Sequence, residues 1–437
     1  MAIRHRIFGS GRVALLLFLI GLGTQTQIRI GGYIGISEIF LVLIGPYCFI
    51  SNYKLFKRDG VLTVMYLGFL WCIGAFIANK LNNVDLLLGL KGVATPIAIA
   101  CSIPCIYTLL RKSPYSMKNM LVGMALSTVI SVFIFQPGTA HSAAVESGEL
   151  SAMESVVSYK LFWVNQIRTW FGVPIQGWYM NLSLPLMVVI CLFISGFSLF
   201  SGGRSAFLIM MITTGLVILG GRSYSKIRAI RRHLLSLLVL CLTFAMCAKL
   251  AYKYAVTHGL LSESEVAKYE RQTKGGNTSA LGLIMSGRSE VFVSLFALMD
   301  RPIIGLGSWA LDYNGVYEEF LQHYGDASDY EAYVNYQRRN PGFLMKIPCH
   351  SHIFTFWMWH GIFGLIFWIY ILYLMTSVLM NRMHIIPEYY GYFAFMIPAT
   401  YWNIFFSPLG QRPMMCLFIS ACLLTKVLEK ERETMIR

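Results

Sequence analysis

The sequence predicts an all-α protein: a polytopic transmembrane helical bundle of about twelve spans, with one large loop that caps its external face. Three observations lead to this prediction. Apolar residues make up 56% of the 437 residues and charged residues only 13%, a balance that soluble globular domains do not have. Apolar runs of about 20 residues, the length that crosses a bilayer, recur along the chain. Lysine and arginine concentrate in short segments between these runs.

The apolar runs divide the chain into three groups of predicted transmembrane helices, because a backbone in hydrocarbon must satisfy its own hydrogen bonds. The groups occupy residues 1–136, 181–252 and 351–437. The individual runs lie at about 13–32, 34–51, 61–78, 86–110, 117–136, 180–200, 205–221, 234–252, 353–379, 388–406 and 410–427.

A twelfth crossing is predicted within residues 137–180. Basic residues near both ends of the chain place both termini in the cytoplasm by the positive-inside rule, and eleven crossings would separate them. The apolar and aromatic stretch 156–173 is interrupted by Lys160, Asn165 and Arg168. Such interruptions are typical of a broken or partly re-entrant span that lines a site. An amphipathic helix at the membrane surface explains the same pattern.

The net charge of +15 does not predict nucleic-acid binding, because the basic residues lie mostly in short loops on one side of the predicted bundle. The cysteines are scattered, nearly all in or beside predicted spans, and their spacing matches no disulfide framework or zinc site. We therefore expect no metal and no other cofactor, and we look for function in the external loops.

Residues 253–350 form the large external loop, which we expect to be a folded cap. It is rich in tyrosine and in acidic residues. Aromatic planes beside carboxylates suit carbohydrate, whose ring faces stack while its hydroxyls form hydrogen bonds. A solvated loop surface has a similar composition, so both interpretations stay open.

An arginine lies in the short segment Ser201-Gly202-Gly203-Arg204-Ser205, which joins two predicted spans on the external side. Glycines and an arginine at a helix start combine free amide donors, the helix dipole and a guanidinium, and this combination suits a diphosphate. Alternatively, Arg204 reaches toward lipid headgroups without binding a substrate.

A second arginine, Arg288, precedes an amphipathic stretch that runs to Asp300 and predicts a helix start within the loop. Glu290 follows closely, and Arg301 leads into a turn with Pro302, Gly305 and Gly307. Alternatively, these charges have a structural role, in which Glu290 forms an ion pair with Arg288 or Arg301.

Two histidines, His350 and His352, stand immediately before the span predicted at 353–379. An imidazole can accept a proton from an attacking hydroxyl near neutral pH. Alternatively, the histidines lie at the membrane surface and bond a carbonyl. They could also bind a metal ion, but no third well-spaced ligand accompanies the pair. Because one residue separates His350 from His352, their side chains are not expected to point the same way. His360, two helical turns after His352, is predicted to be a packing or helix-contact residue.

Together these segments resemble the O-antigen ligase and polymerase superfamily. Its members carry a Ser-Arg-Gly turn, an Arg-x-Glu-x-aromatic segment with Pro-x-x-Gly-x-Gly, and a His-Asn segment ahead of Gly-x-x-Gly. This sequence departs from the pattern at Ser205, where glycine is usual, and at Ser351, where asparagine is usual. The resemblance covers about 200–375 and rests on Gly203-Arg204-Ser205, Arg288-Ser289-Glu290-Val291-Phe292, Pro302, Gly305, Gly307, His350-Ser351, Gly361 and Gly364.

The resemblance implies an inverting, metal-independent glycosyltransferase of the bacterial inner membrane, which moves a whole glycan from undecaprenyl diphosphate to a sugar hydroxyl on the periplasmic face. Arg204 and Arg288 would hold the diphosphate and stabilise its charge as it leaves. His350 would orient or deprotonate the acceptor hydroxyl. The further substrate-binding residues expected are Arg168, as a third clamp, Glu290, Arg301 and His352, the last also as an alternative base.

The acceptor decides between two activities within the superfamily. Transfer to the next lipid-linked repeat makes a polymerase, which the polar segment at 137–180 slightly favours, and transfer to the lipid A core makes a ligase. The expected partners are the lipid-linked glycan, its acceptor glycan, membrane lipids and a chain-length regulator. The rival from another class is a transporter or flippase, which predicts charges deep in the spans, where Lys91 and Lys249 are the main candidates.

Overall fold

In the computed structural model, most of the described residues are helical, and two short strands lie among them. Four parts of the predictions lie outside the described residues: segment 137–180, Arg168 within it, Arg288, and most of the run predicted at 234–252. The described residues are 7–24, 27–29, 33–134, 184–200, 204–220, 250, 253–254, 256–259, 266, 289–324, 327–339, 344–407, 409 and 412–436.

The N-terminal part differs from the sequence prediction at its first span. Helix α1 ends at Leu22, and the chain then forms an antiparallel hairpin in which Ile28 pairs with Ile34. The prediction of a span over 13–32 was wrong at its C-terminal end, because hydropathy alone ignores the alternating Gln-Ile-Arg pattern and the following glycines, which favour a hairpin. The elements are α1 (Ile7–Leu22), β1 (Gln27–Arg29), β2 (Tyr33–Gly35) and α2 (Ile36–Asp59).

The next helices follow the predicted runs closely. Gly60 has a left-handed backbone with φ of 77°, which ends α2 and lets α3 begin at once. Asp85 caps α4 by accepting the backbone N–H of Leu87 and Leu88 at 3.0 and 3.2 Å. The helices are α3 (Val61–Leu81), α4 (Leu86–Lys112), α5 (Met117–Ile134), α6 (Leu184–Phe200) and α7 (Arg204–Gly220).

The predicted loop at 253–350 contains helices, as expected of a folded cap, and the C-terminal part contains a break. The apolar run at 353–379 was predicted as one span, but Gly361 divides it into two helices. The helices are α8 (Ser289–Leu298), α9 (Val316–Tyr324), α10 (Ala327–Arg339), α11 (His352–His360), α12 (Ile362–Ser377), α13 (Tyr390–Phe406) and α14 (Arg412–Ile436).

Among the described residues, four helices are long and apolar enough to cross a membrane. Large apolar side chains are exposed on their surfaces, including Leu43 at 74%, Ile50 at 76% and Phe76 at 65%. Such a surface is expected in lipid and would be unusual for a protein in water. The transmembrane character predicted from composition is therefore supported. The four helices are Ile36–Asp59, Val61–Leu81, Leu86–Lys112 and Ile362–Arg382, the last being α12 with the π-helical turn Val378–Arg382 that continues it.

Ion pairs join helices that are far apart in the sequence. Arg412 at the start of α14 donates two hydrogen bonds, of 2.6 and 2.9 Å, to the buried carboxylate of Glu38 in the first turn of α2. At the opposite end of α2, buried Asp59 accepts the Tyr107 hydroxyl of α4 at 2.7 Å and lies 3.4 Å from Arg111 Nε. Because buried charges are costly without partners, these contacts fix α2 against α4 and α14.

Candidate functional site

Helix α11 lies at the centre of the candidate site, packed against α3, α8, α12 and α13. Its start is fixed by Ser351. The Ser351 hydroxyl accepts the backbone N–H of Phe354 at 3.1 Å and donates to the carbonyl of Ile404, near the end of α13, at 2.8 Å. The residue that replaces the usual asparagine of the resembled motif is thus a helix cap with a tertiary hydrogen bond.

His350 and Glu290 approach each other across the start of α11 and the first turn of α8. His350 Nδ1 lies 3.8 Å from Glu290 Oε1, and the side chains keep 41% and 33% of their surfaces exposed. Two predicted site residues from separate motifs are therefore brought together. A carboxylate near one imidazole nitrogen can orient the ring and stabilise its protonated form, which leaves Nε2 for proton transfer.

His352 has a different environment from His350. It is buried, and its ring lies on Trp368 of α12 with centroids 4.9 Å apart. The sequence prediction that the two histidines point in different directions is confirmed. Since a proton acceptor for a substrate hydroxyl must be accessible, the geometry favours His350 over His352 as the base.

Helices lie beside the two key arginines, as the sequence predicts. The described residues of α7 run from Arg204 and those of α8 from Ser289, next to Arg288 in the sequence. The N-terminus of a helix presents free backbone N–H groups and the positive end of its dipole, which favours an anion such as diphosphate. Arg168 and Arg288 lie outside the described residues.

The segment from Arg301 to Ser308 fills the break between α11 and α12. Leu306 and Gly307 donate backbone N–H groups to the carbonyls of Met358 and Trp359 at 2.7 and 2.9 Å, and Ile362 donates to Ile303 at 3.0 Å. Carbonyls at a helix end and amides at a helix start need such partners. The glycine-rich segment 301–308 thus joins the ends of α11 and α12 through backbone hydrogen bonds, and we call this arrangement the splice.

Gly305 and Gly361 meet within this splice. Both have a positive φ, of 86° and 65°, which side chains rarely tolerate. A Cβ on Gly361 would lie 2.0 Å from the Ile303 carbonyl oxygen, and one on Gly305 would lie 2.5 Å from the Gly361 nitrogen. Glycine is required at both positions by conformation and by close backbone approach.

Arg301 does not reach Glu290. Its guanidinium donates to Asn82 Oδ1 at 2.7 Å, and Asn82 Nδ2 in turn donates to the Gly305 carbonyl at 3.0 Å. Arg301 follows the C-terminal end of α8 while Glu290 is in its first turn, so the two are about 15 Å apart along the helix axis. The alternative of a Glu290–Arg301 ion pair is therefore wrong.

A series of buried side-chain hydrogen bonds lies beneath the splice, and the sequence did not predict it. Trp71 Nε1 donates to His360 Nδ1 at 2.7 Å, and His360 Nε2 lies 2.9 Å from the Ser308 hydroxyl. Because the indole can only donate, Nδ1 must be an acceptor and the imidazole is neutral, with its proton on Nε2. His360 is fully buried and contacts α3 through Trp71, so its prediction as a packing or helix-contact residue is confirmed.

Two asparagines at the end of α3 were also missed. Asn79 Oδ1 accepts the Ser308 backbone N–H at 2.7 Å, and Asn82 holds Arg301 and Gly305 as described above. The available signal was the polar sequence Asn79-Lys80-Leu81-Asn82-Asn83 directly after an apolar run. It marks the end of a span but does not reveal its distant partners.

Cys349, next to His350, does not supply a thiolate nucleophile. Burial raises the pKa of its thiol, and the sulfur accepts the Thr355 hydroxyl at 2.8 Å. Within the described ranges, no group of three or more His, Cys, Asp or Glu side chains could hold a metal ion. Among the described residues of the site, His350 and Glu290 are titratable groups with partly exposed side chains.

An apolar groove of about 280 Å³ lies between α7 and α13. The Tyr390 hydroxyl, which donates to the Leu216 carbonyl at 2.6 Å, ties the two helices together. The groove includes Leu208, one turn after Arg204, and Phe405 and Phe406 at the end of α13. Its lining is suited to a hydrocarbon chain rather than to a polar ligand.

Comparison of the chain with protein-family models, with curated proteins and with solved structures finds no match.

Proposed function

We propose that this chain is a membrane glycosyltransferase that transfers a glycan from undecaprenyl diphosphate to a sugar hydroxyl, on the periplasmic face of a bacterial inner membrane. The observation that carries the proposal is the approach of His350 and Glu290, at 3.8 Å, from two separate motifs of the resembled superfamily. The helices whose described residues run from Arg204 and Ser289 support it, because the sequence predicts a helix start at each arginine and a helix start is suited to an anion.

His350 is the general base in the proposed reaction. It accepts the proton of the acceptor hydroxyl as that oxygen attacks the anomeric carbon of the donor sugar, and Glu290 stabilises the imidazolium that forms. The bond between the anomeric carbon and the diphosphate oxygen breaks, and the diphosphate leaves with the electron pair. Attack opposite the leaving group inverts the anomeric configuration. His350 then returns its proton to water.

The cationic clamps are Arg204 and Arg288, with Arg168 as the third. They balance the negative charge that grows on the departing diphosphate, in place of a metal ion. A lipid diphosphate is already a good leaving group, so the protein mainly needs to position the reactants and to supply one base. The apolar groove between α7 and α13 would hold part of the prenyl chain, because its lining begins one turn from Arg204.

The proposed topology has about twelve spans, cytoplasmic termini and a periplasmic loop over 253–350. The contacts of α3 support it. Lys57 and Arg58 lie just before the start of α3 and belong to the cytoplasm by the positive-inside rule. The opposite end of α3 carries Asn82, which bonds the loop residues Arg301 and Gly305, as a periplasmic loop requires.

Polymerase activity is our first choice, and lipid A core ligase the second. The polar segment at 137–180 adds to the surface that a second lipid-linked substrate would need. Non-enzymatic transport of a lipid-linked or anionic substrate is the alternative, and it requires neither a base nor a carboxylate beside it. The His350–Glu290 approach therefore favours the enzyme.

The test is an analysis of cell-envelope glycans from a strain that lacks the gene, complemented with wild-type, Arg288→Ala or His350→Ala protein at matched expression. Wild type restores long chains, and both variants fail to. Accumulation of lipid A core with one repeat identifies a polymerase, and long undecaprenyl-linked chains beside bare core identify a ligase. His384→Ala, in the segment between α12 and α13, is the control and restores normal glycans. Normal glycans from His350→Ala would overturn the proposal.

A further inference from the structure

A polar cavity of about 280 Å³ lies where the end of α3 meets the end of α8 and the segment that leads into α9. It is separate from the His350–Glu290 pair. Its volume is near the lower end of the range for small-molecule sites, about 300 to 1,000 Å³, which suits one compact unit and not an extended lipid. The polar residues that line it are Asn82, Asn83, Asp300, Arg301, Asp312, Tyr313 and Asn314.

Four polar side chains of the cavity form hydrogen bonds in pairs, which orient them. Arg301 donates to Asn82 Oδ1 at 2.7 Å, and Asn314 Nδ2 donates to Asp300 Oδ2 at 2.7 Å. A guanidinium has five N–H donors and a carboxylate has two acceptor oxygens, so both groups retain capacity for a ligand. The cavity thus offers donors and acceptors on neighbouring walls, the arrangement that a ring carrying several hydroxyls requires.

An aromatic side chain, Tyr313, lies beside these polar groups. Tyr313 lines the cavity and keeps 71% of its side chain exposed. An exposed aromatic ring stacks on the apolar face of a sugar ring, while amides, carboxylates and guanidinium groups bond its hydroxyls. The polar lining disfavours a prenyl chain, which fits the apolar groove between α7 and α13 instead.

The cavity lies at a useful distance from the proposed reaction centre. Glu290 is in the first turn of α8, and Asp300 follows the last, about 15 Å further along the helix axis. A glycan of a few sugar units covers that distance. A glycan whose reacting sugar lies at His350 can therefore place another unit in the cavity.

We infer that this cavity is a glycan subsite, which binds one sugar unit of the transferred or accepting chain a few units away from the new bond. The inference rests on the proposed function. It assigns recognition of the glycan to Asp300, Arg301, Tyr313 and Asn314, and recognition of the lipid diphosphate to other residues. The subsite determines which repeat structure the protein accepts.

The test measures binding of free oligosaccharide to the purified full chain in lipid nanodiscs, by saturation-transfer NMR. The probe is the repeat oligosaccharide released by mild acid from the surface polysaccharide of the source strain, without its lipid carrier. Wild type binds it, and Asn314→Ala and Tyr313→Ala each weaken binding at least tenfold. Gln322→Ala removes an exposed amide on α9 that does not line the cavity, and it binds as wild type does. Asp300→Asn, which preserves shape, weakens binding to a smaller extent.

The outcomes separate this inference from the proposed function. Equal binding by wild type and the cavity variants overturns the inferred subsite but does not affect the proposed transferase function. Absence of binding by a wild-type protein that restores long glycans in cells also overturns it. Selective loss of binding in Asn314→Ala, combined with normal glycans from His350→Ala, supports a sugar site but overturns the transferase.

Discussion

His350 and His352, two residues apart, show what the sequence could and could not predict about single side chains. Their spacing predicted different directions, and the structure places one at an accessible carboxylate and the other against Trp368. Between them, the Ser351 hydroxyl bonds the carbonyl of Ile404 and so fixes the start of α11 against α13. A contact between residues so far apart in the sequence leaves no local pattern, so the assignment required the structure.

The same reasoning applies to Trp71. The sequence predicts a tryptophan inside an apolar helix, but not that its N–H bonds a neutral histidine from α11. That bond makes Trp71 more than a packing residue, because its loss leaves the buried His360 Nδ1 without a donor. The same ring also contacts Phe356, Phe367 and Trp368, so packing and hydrogen bonding act together.

Replacement of Trp71 by phenylalanine is predicted to destabilise the protein more than the matched Trp368→Phe. Both side chains are fully buried in one cluster and both changes remove the same ring volume. Trp368 Nε1 has no hydrogen-bond partner among the described residues, whereas Trp71 Nε1 bonds His360. The difference in unfolding free energy should be about 1 to 3 kcal/mol, the cost of an unsatisfied buried acceptor. Denaturant unfolding of purified protein in detergent measures it, and equal losses would refute the hydrogen bond.

At the scale of elements, the helices were predicted well and their interruptions were not. Composition and run length located α3, α4, α7 and α13 within a few residues. The break at Gly361 escaped prediction because hydropathy is high on both sides of it. The cause is the segment 301–308, which supplies hydrogen-bond partners to both helix ends and so stabilises an interruption that an isolated helix would avoid.

Alanine at Gly361 is predicted to disrupt this splice. The residue has φ of 65°, and a Cβ would lie 2.0 Å from the Ile303 carbonyl oxygen, so both backbone strain and a clash arise. Gly315→Ala is the control, because Gly315 has a similar φ of 69° but nothing within 4 Å of its Cβ position. We expect the control to lose about 1 to 2 kcal/mol, from strain alone. Gly361→Ala should lower the thermal midpoint further; equal shifts would mean that the close approach to Ile303 is not important.

At the scale of the whole molecule, charge patterning and hydropathy predicted a membrane protein, and the exposed apolar surfaces of the described helices agree with it. Patterning did not predict how the helices pair. Glu38 with Arg412 joins helices from opposite ends of the sequence, and Asp59 with Arg111 joins α2 to α4. Such pairs depend on the assembled bundle, since a buried charge is tolerated only where its partner arrives from another element.

The proposed topology predicts which surfaces an impermeant thiol reagent reaches in intact cells. Gln322 and Tyr115 are both exposed, the first in the loop 253–350 and the second between α4 and α5. Gln322→Cys should be labelled from the periplasm above the level of the unsubstituted protein. Tyr115→Cys should be labelled only after the inner membrane is opened. The reverse pattern would invert the topology and move the site to the cytoplasm.

In the proposed reaction the chain makes a covalent bond between two glycans. The direct measurement follows a radiolabelled lipid-linked glycan in vesicles that contain the purified protein and an acceptor glycan. With wild type, we expect label to join the acceptor and free undecaprenyl diphosphate to appear, whereas His350→Ala should leave the donor unchanged. Movement of an unmodified donor across the bilayer, equal for wild type and His350→Ala, would rule out the transferase and identify a transporter.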